Sequence, residues 1–366
     1  YNAIYNYWYR DQNLIDSVPE PTDDGPDSGG ADFTLQRRGK RHDYFTSSLP
    51  TPQKGDAVSI PLGGQAPVEA DPALIGSNVL IQNSTTKTNY LTLDVNQTLA
   101  EYAAGGGGSE NLYADLSSAT NTTINALRQA FAIQQFLERD MRGGTRFSEQ
   151  ILSHYGVQFQ DIRYAPEFLG GGSAPIIVSP IANQSGSVGN VGDLSAIGTS
   201  SLSGAGFTKA FDEPCIIMGI VCVDADLTYQ QGLDRKFSYS TRYDFYWPEF
   251  AHLGEQSVLN KEIFYQNAAA DENVFGYQER YAELRHGMSR ISGEFRSDNV
   301  ATLDSWHLSE DLATLPGLNQ SFIESEPPMA RVMKVTTQND FICDLYSHIR
   351  AARPLPTYGV PGLRRL

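Results

Sequence analysis

The spacing of apolar side chains along the chain predicts two helices, and the first lies at its beginning. Tyr1, Ile4, Tyr5 and Trp8 recur every three or four residues. This spacing places side chains on one face of an α-helix, so the opening stretch YNAIYNYW is predicted to be helical. An acidic stretch rich in Pro and Gly follows and is predicted to be a loop.

The stretch TNTTINALRQAFAIQQFLERDMRGG carries the longest helical pattern in the chain. Thr120 or Asn121 is predicted to cap this helix, and Gly143–Gly144 to end it, because Gly adopts the left-handed conformation that closes a helix. A broad apolar face is predicted from six side chains: Ile124, Leu127, Ala130, Phe131, Ile133 and Leu137.

Short apolar runs bounded by turn residues predict strands elsewhere. The run CIIMGIVCV reads as a buried strand, and PIIVSPIA, preceded by a glycine-rich loop, as an edge strand. The strands predicted in the second half of the chain are Cys215–Val223, Lys236–Tyr246, Ala330–Thr337 and Asp340–His348.

Composition favours a mainly β protein. The chain of 366 residues contains 19 Tyr and 17 Phe, together with 33 Gly and 19 Pro. Aromatic residues are enriched in strands, and Gly and Pro in the turns that join them. From Asp56 to Asn111 the composition shifts to Ser, Thr, Asn, Gly and Ala. We interpret this region as an insertion within a single domain that spans 1–366.

The net charge of −16 restricts the partners of this protein. Such a surface repels nucleic acid and anionic membranes unless basic residues are segregated. Basic residues are concentrated in one stretch, QRRGKRH. Its Arg37, Arg38, Lys40 and Arg41 are candidate contacts to phosphate, and the alternative is that the stretch is a solvated loop. No apolar run approaches the length of a transmembrane helix, so membrane insertion is not expected.

The three cysteines predict reduced, buried thiols. Cys215 and Cys222 lie in one apolar run, and seven residues of strand extend over roughly 23 Å. A disulfide requires Cα atoms within roughly 7 Å, so these two cannot bridge each other within a strand.

The segment RHDYFTSSLPTPQKG contains His42, Asp43, Ser47 and Ser48, residue types of a hydrolase triad. In an extended chain His42 and Asp43 point to opposite faces, and neither serine lies in a Gly-x-Ser-x-Gly turn. We therefore interpret the segment as polar and structural, with no catalytic role.

At the other candidate sites, the residue types and their spacing do not match an established motif. GGGS at Gly170–Ser173 lacks the lysine of a phosphate-binding loop, and His252 with Glu255 lacks the repeated pattern of a metal site. Glu249 and Glu255 remain a conceivable glycosidase pair whose separation the sequence does not fix. No metal ligand and no cofactor are predicted.

A resemblance carries the analysis further. The blocks RHDYFTSSLPTPQKG, LYADLSSAT, INALRQAFAIQQFLERDMRGGTRF, PEFLGGGS and ADLTYQQGLDRKFSYSTRYDFYWPEFAHLGEQSVLNKEI, followed by VFGYQERYAELR, closely resemble the major capsid protein of microviruses. These are small tailless bacteriophages with single-stranded DNA, and the similarity is nearest to the gokushovirus-type branch. It runs in order from YNYWYRDQNL to RPLPTYGVPG.

The resemblance implies a viral jelly roll, an antiparallel β-sandwich with long inserted loops and a few helices. It implies self-assembly into a T=1 icosahedral shell around circular single-stranded DNA, with other phage structural proteins as partners. The insertion Asp56–Asn111 is expected to contact a host surface receptor. The protein is expected in the virion, assembled in the bacterial cytoplasm, and without catalytic residues. Because the first block follows early strands in this family, we expect the jelly roll to be incomplete at the N-terminus.

A competing interpretation is a secreted β-sandwich, either a carbohydrate-binding protein or a glycosidase. It accounts for the aromatic residues and the abundance of Gly. It leaves the sparse cysteines and the ordered family blocks unexplained.

Overall fold

The computed structural model describes residues 1–24, 33–58, 124–159, 165–184, 190–335 and 337–354, together with the backbone of five short strands between 68 and 114. In these residues the chain consists of short strands and loops with a few helices, as expected for a β-rich capsid protein. The sheets are small.

The two predicted helices are confirmed. Helix α1 (Asn2–Ile4) continues into a π-helical turn, Tyr5–Tyr9, and the long helix α2 covers Ile124–Gly143. Gly144 follows with φ of 90°, the left-handed conformation expected at a helix end. The predicted caps Thr120 and Asn121 lie outside the described residues. The other α-helices among the described residues are α3 (Phe147–Tyr155), α4 (Asn260–Ile263) and α5 (Gln320–Ile323).

The described strands form antiparallel sheets of two or three strands. The pairs are β1 with β5, β6 with β7 and β8 with β9, and β3 lies between β2 and β4. Strand β6 confirms the predicted edge strand. The bounds are β1 (Val68–Ala70), β2 (Val79–Gln82), β3 (Tyr90–Leu93), β4 (Ala100–Ala103), β5 (Leu112–Ala114), β6 (Ile177–Ala182), β7 (Leu194–Thr199), β8 (Glu255–Leu259) and β9 (Val274–Glu279).

Four predicted strands are wrong. Cys215–Val223 and Asp340–His348 have no regular secondary structure and are exposed. Ala330–Thr337 begins inside a 3₁₀-helix, Met329–Arg331, and its residue 336 lies outside the described residues. Strand propensity reflects packing against a paired neighbour, and a run that finds no neighbouring strand does not form a ladder.

The fourth, Lys236–Tyr246, fails because of local polar chemistry. The carboxylate of Asp244 accepts hydrogen bonds from the backbone N–H groups of Ser240 (2.9 Å) and Thr241 (2.7 Å). These bonds satisfy the N–H groups within a turn and compete with a sheet ladder. A 3₁₀-helix, Arg235–Ser238, occupies the beginning of the segment.

The predicted burial of the cysteines is also wrong. Cys215, Cys222 and Cys343 are free thiols, as expected, but all three are exposed. Their burial depended on the strands predicted around them.

The chain divides into two compact units. The first comprises Tyr1–Cys222, Gln231–Gly287 and Thr314–Ser325, and it contains all of the described sheets. Its core surrounds the hairpin of β8 and β9, where Val258 and Phe275 are buried together with Tyr44, Phe45, Ile263, Phe322 and Ile323.

The segment Asp43–Leu49, named here the core segment, joins that hairpin. Leu49 and Tyr277 exchange two backbone hydrogen bonds of 2.8 Å, which adds the core segment to the outer edge of β9. The ring of Phe45 meets Phe275 edge to face, with ring centroids 6.1 Å apart. The core segment therefore packs into the core of the first unit.

The second unit comprises Val223–Gln230, Met288–Ala313 and Glu326–Leu366. Polar contacts hold it together: Gln230 Nε2 donates to the carbonyl oxygen of Glu310 (3.0 Å), and the buried Ser309 donates through Oγ to that of Thr228 (2.9 Å). Arg331 donates through Nη1 to the carbonyl oxygen of Ser309 (2.8 Å).

Most of the predicted insertion, Asp56–Asn111, lies outside the described residues; Asp56–Val58 and the backbone of β1 to β4 are the exceptions. In the part of the chain that the structure describes, no helix is long and apolar enough to cross a membrane.

Candidate nucleic-acid interface

The basic cluster Arg37–Arg41 is held by backbone hydrogen bonds on two sides. At the end of α5, the carbonyl oxygen of Ile323 accepts from Lys40 N (2.7 Å), and Ser325 N donates to the carbonyl oxygen of Arg38 (2.9 Å). Backbone hydrogen bonds therefore fix the cluster at Arg38 and Lys40.

The opening helix holds the other side. Gly39 N donates to the carbonyl oxygen of Tyr9 (2.8 Å), and the hydroxyl of Tyr5 donates to the carbonyl oxygen of Arg37 (3.0 Å). A Cβ atom at position 39 would lie 3.3 Å from the oxygen of Tyr9, so the close approach favours glycine.

The four basic side chains separate into two kinds. Lys40 is only 7% exposed, and its ammonium lies 4.6 Å from the centroid of the Phe322 ring. Arg38 is half-buried, with its guanidinium 5.7 Å from the ring centroid of Tyr9. Arg37 and Arg41 are exposed. Two of the four predicted charges are thus directed toward aromatic rings, and two lie at the surface.

The residues considered for a triad have structural contacts. The Oδ1 atom of Asp43 accepts hydrogen bonds from the N–H groups of Phe45 (2.9 Å) and Thr46 (2.8 Å), which shapes the turn. Ser47 Oγ donates to the carbonyl oxygen of Asp43 and accepts from Gln278 Nε2 (2.6 Å). His42 is exposed.

Beside this turn, a buried polar network begins at Tyr44. Its hydroxyl donates to Oε2 of Glu262 (2.8 Å), while Oε1 of Glu262 accepts from Arg235 Nη1 (3.0 Å) and from Leu259 N (2.9 Å). Glu262 is only 1% exposed. Burial raises the pKa of Glu262, and the Arg235 guanidinium partly offsets that rise. Burial and the nearby Glu262 carboxylate also raise the pKa of the Tyr44 hydroxyl.

A second carboxylate, Glu283, completes the network. It accepts hydrogen bonds from Gln256 Nε2 (2.9 Å) and the Tyr239 hydroxyl (3.2 Å), and Arg235 Nε lies 3.8 Å from its Oε1. Burial and the Glu283 charge raise the pKa of Tyr239 to about 12. Burial lowers the pKa of Arg235, but Glu262, Tyr44 and Glu283 outweigh it and raise that pKa overall. One guanidinium therefore holds two carboxylates within the core.

The remaining candidates have other surroundings. Glu255 accepts hydrogen bonds from the guanidinium of Arg142, including Nε at 3.0 Å, and Glu249 is exposed in the 3₁₀-helix Pro248–Phe250. Gly170–Ser173 is an exposed loop. Among the described residues, no group of three or more His, Cys, Asp or Glu side chains is arranged to hold a metal ion.

The sequence analysis missed the buried network. Glu262 is one of 43 acidic residues, and nothing in its neighbourhood along the chain distinguishes it. Its partners Tyr44 and Arg235 are distant in sequence, so no local spacing could have identified them.

Comparison with known proteins decides the family. Residues 1–363 match the phage family described as capsid protein (F protein). The chain belongs to this capsid family. It is 43% identical to the capsid protein VP1 of Bdellovibrio phage phiMH2K over 99% of this chain and 71% of that protein. It is 39% identical to the capsid protein VP1 of Chlamydia phage 1, over the whole of this chain and 74% of that protein.

A third relative, the capsid protein VP1 of Spiroplasma virus 4, is 33% identical over the whole of this chain and 72% of its own length. The resemblance to microvirus capsid proteins is therefore confirmed. The chain is a structural capsid protein and not an enzyme, which removes the support for a glycosidase pair at Glu249 and Glu255.

Proposed function

We propose that this protein is the major subunit of a T=1 icosahedral shell that encloses a circular single-stranded DNA genome. The observation that carries the proposal is the match to a capsid family over nearly the whole chain. We also propose that the virus belongs to the gokushovirus-type branch and that the shell assembles in the bacterial cytoplasm. Other phage structural proteins are the proposed partners in the virion.

A jelly roll is the fold we propose for the assembled subunit. Cys215–Val223 and Asp340–His348 have the composition of strands, and apolar side chains such as Ile216 (91% exposed) and Ile342 (97% exposed) remain outside a core. Burying such side chains is worth roughly 1.5–3 kcal/mol each, which favours completing the sheets. We propose that both runs become buried when the subunit assembles into the shell.

Contact with the genome is the proposed role of the basic cluster. Arg37 and Arg41 supply exposed charge, while Arg38 and Lys40 hold the segment against Tyr9 and Phe322. Phosphate contacts of this kind bind DNA without reading its sequence. A chain with net charge −16 leaves most of the genome to be neutralised by other cations, such as polyamines or a small basic partner protein.

The insertion Asp56–Asn111 is proposed to contact a host surface receptor. Its support is the similarity to microvirus capsid proteins and a composition low in core-forming residues. Surface loops commonly carry binding functions because they tolerate changes in sequence and length.

Expression of the complete gene in a bacterial host tests the proposed function directly. Electron microscopy of the purified product should reveal uniform icosahedral particles. A monomer that binds immobilised glycans would instead support the secreted carbohydrate-binding protein. Particles of irregular size would contradict the T=1 shell.

A further inference from the structure

Five exposed aromatic side chains lie within residues 237–247 of the first unit. We name this group the aromatic surface, and its members are 44% to 69% exposed. They are Phe237, Tyr243, Phe245, Tyr246 and Trp247. Large aromatic side chains bury much apolar area when they are covered, so their exposure marks a surface that gains from a partner.

The aromatic surface is held in a defined conformation. Asp244 fixes the turn by accepting hydrogen bonds from the backbone of Thr241 and Ser240. The same hydrogen bonds lower the pKa of the Asp244 carboxyl. Trp247 Nε1 donates to the carbonyl oxygen of Arg242 (2.8 Å), and the ring of Tyr246 meets the buried Tyr281 edge to face at 5.0 Å. A surface ordered before binding loses less conformational entropy when a partner covers it.

The charge of this region differs from that of the chain. Residues 234–250 contain three basic residues, Arg235, Lys236 and Arg242, and three acidic residues, Asp234, Asp244 and Glu249. Lys236 pairs with Asp234 at 3.1 Å, and Arg235 pairs with Glu262 at 3.0 Å. Two copies of a chain with net charge −16 repel each other, and this repulsion is weakest between surfaces that are locally neutral.

We propose that the aromatic surface is a contact between copies of this chain, an inference that rests on the proposed shell. Tyr, Trp, Phe and Arg are the residue types enriched at protein interfaces, and they form most of this surface. Single-stranded DNA is the other ligand that stacks on exposed rings, but it requires a groove with an excess of positive charge. The balanced charge of 234–250 favours the second copy.

Two substitutions in the complete gene test the proposal, Trp247→Ala and Phe237→Ala. Each should reduce particle yield about tenfold or more, because aromatic residues dominate the binding energy of interfaces. Trp306→Ala is the matched control, since Trp306 is 70% exposed and lies outside the aromatic surface. It should assemble as the wild type does. Far-UV circular dichroism and thermal melting of the unassembled proteins should be unchanged in all three variants.

Several outcomes would overturn the proposal. One is wild-type particle yield from both variants, and another is an equal loss from Trp306→Ala. Normal particles that contain less DNA would assign the aromatic surface to nucleic acid. Failure of the wild type to form particles would be a different result, because it would contradict the proposed shell itself.

Discussion

The hydroxyl of Tyr44 donates a 2.8 Å hydrogen bond to the buried carboxylate of Glu262, which is 218 residues away in the sequence. This bond connects the core segment to α4, the helix that follows β8. Because Glu262 also accepts from Arg235 and from Leu259 N, three separate parts of the first unit meet at one carboxylate. The core segment thus contributes a polar contact as well as apolar side chains to the core of the first unit.

Removing that hydroxyl should destabilise the protein without changing its fold. In Tyr44→Phe, Oε2 of Glu262 loses its donor while the ring keeps its shape. A hydrogen bond to a charged group contributes about 1.5–3 kcal/mol, so the free energy of unfolding should fall by that amount. Urea titration followed by fluorescence measures it. Tyr155→Phe is the matched control, since Tyr155 is 80% exposed, and it should have almost no effect.

The buried carboxylate also predicts a dependence of stability on pH. Burial raises the pKa of Glu262 above its ordinary value of 4.5, against the opposing charge of Arg235. The folded protein therefore binds this proton more tightly than the unfolded chain does. The resulting stabilisation is fully present below pH 4.5 and is lost as the pH rises through the folded pKa.

Glu262→Gln removes this titration. The wild type minus variant difference in the free energy of unfolding should become larger as the pH is lowered from about 8 to about 5. Most other carboxylates contribute equally to both proteins and cancel in the difference. A difference that shrinks on acidification would show that Arg235 lowers the pKa of Glu262 more than burial raises it.

A close approach at Gly276 predicts a sensitive position in β9. A Cβ atom there would lie 2.9 Å from Cδ2 of Leu318 and from Cβ of Ser48. Gly276→Ala should therefore cost about 1–3 kcal/mol through overpacking. Gly287→Ala is the control, because a Cβ atom at that exposed position meets nothing within 4 Å. Thermal melting of both variants compares them, and equal melting temperatures would contradict the tight contact.

The sequence predicted elements whose signals are local. Helix α2 has a continuous period over 20 residues and a Gly pair at its end, so it could be identified without knowledge of any neighbour. The strand predicted at Cys215–Val223 required a partner strand, and its apolar residues cannot specify one. Lys236–Tyr246 failed because a single side chain, Asp244, redirected the backbone into a turn.

The candidate interface also combines features that the sequence predicts with features that depend on distant segments. A run of four basic residues within five positions is visible in the sequence, as is its contrast with an acidic chain. The sequence could not indicate that Lys40 is buried against Phe322 while Arg37 is exposed, because Phe322 approaches from a distant segment. Which charges reach the surface is decided by tertiary contacts.

The insertion is predicted to serve attachment and not assembly. Replacing Asp56–Asn111 with a short Gly/Ser linker should preserve particle yield and abolish adsorption to the host. Changing the length of a surface loop has only a small effect on the free energy of folding when the core does not depend on that loop. Electron microscopy and an adsorption assay provide the two measurements, and a loss of particles would show that the insertion is architectural.

The exposed and packed members of the basic cluster should have separable effects. Arg37→Gln with Arg41→Gln removes two surface charges, and we expect fewer DNA-filled particles while the yield of empty shells is maintained. The loss should be equal for genomes of unrelated sequence, since phosphate contacts carry no base information.

Arg38→Gln with Lys40→Met keeps the exposed pair but removes the cations over Tyr9 and Phe322, each worth about 0.5–2 kcal/mol. This second variant should therefore have a lower melting temperature. It should also reduce the yields of DNA-filled and empty particles to the same extent. Sedimentation in a density gradient separates the two kinds of particle. A parallel fall of filled and empty particles in the first variant would place Arg37 and Arg41 at a contact between subunits, and the proposed DNA contact would be wrong.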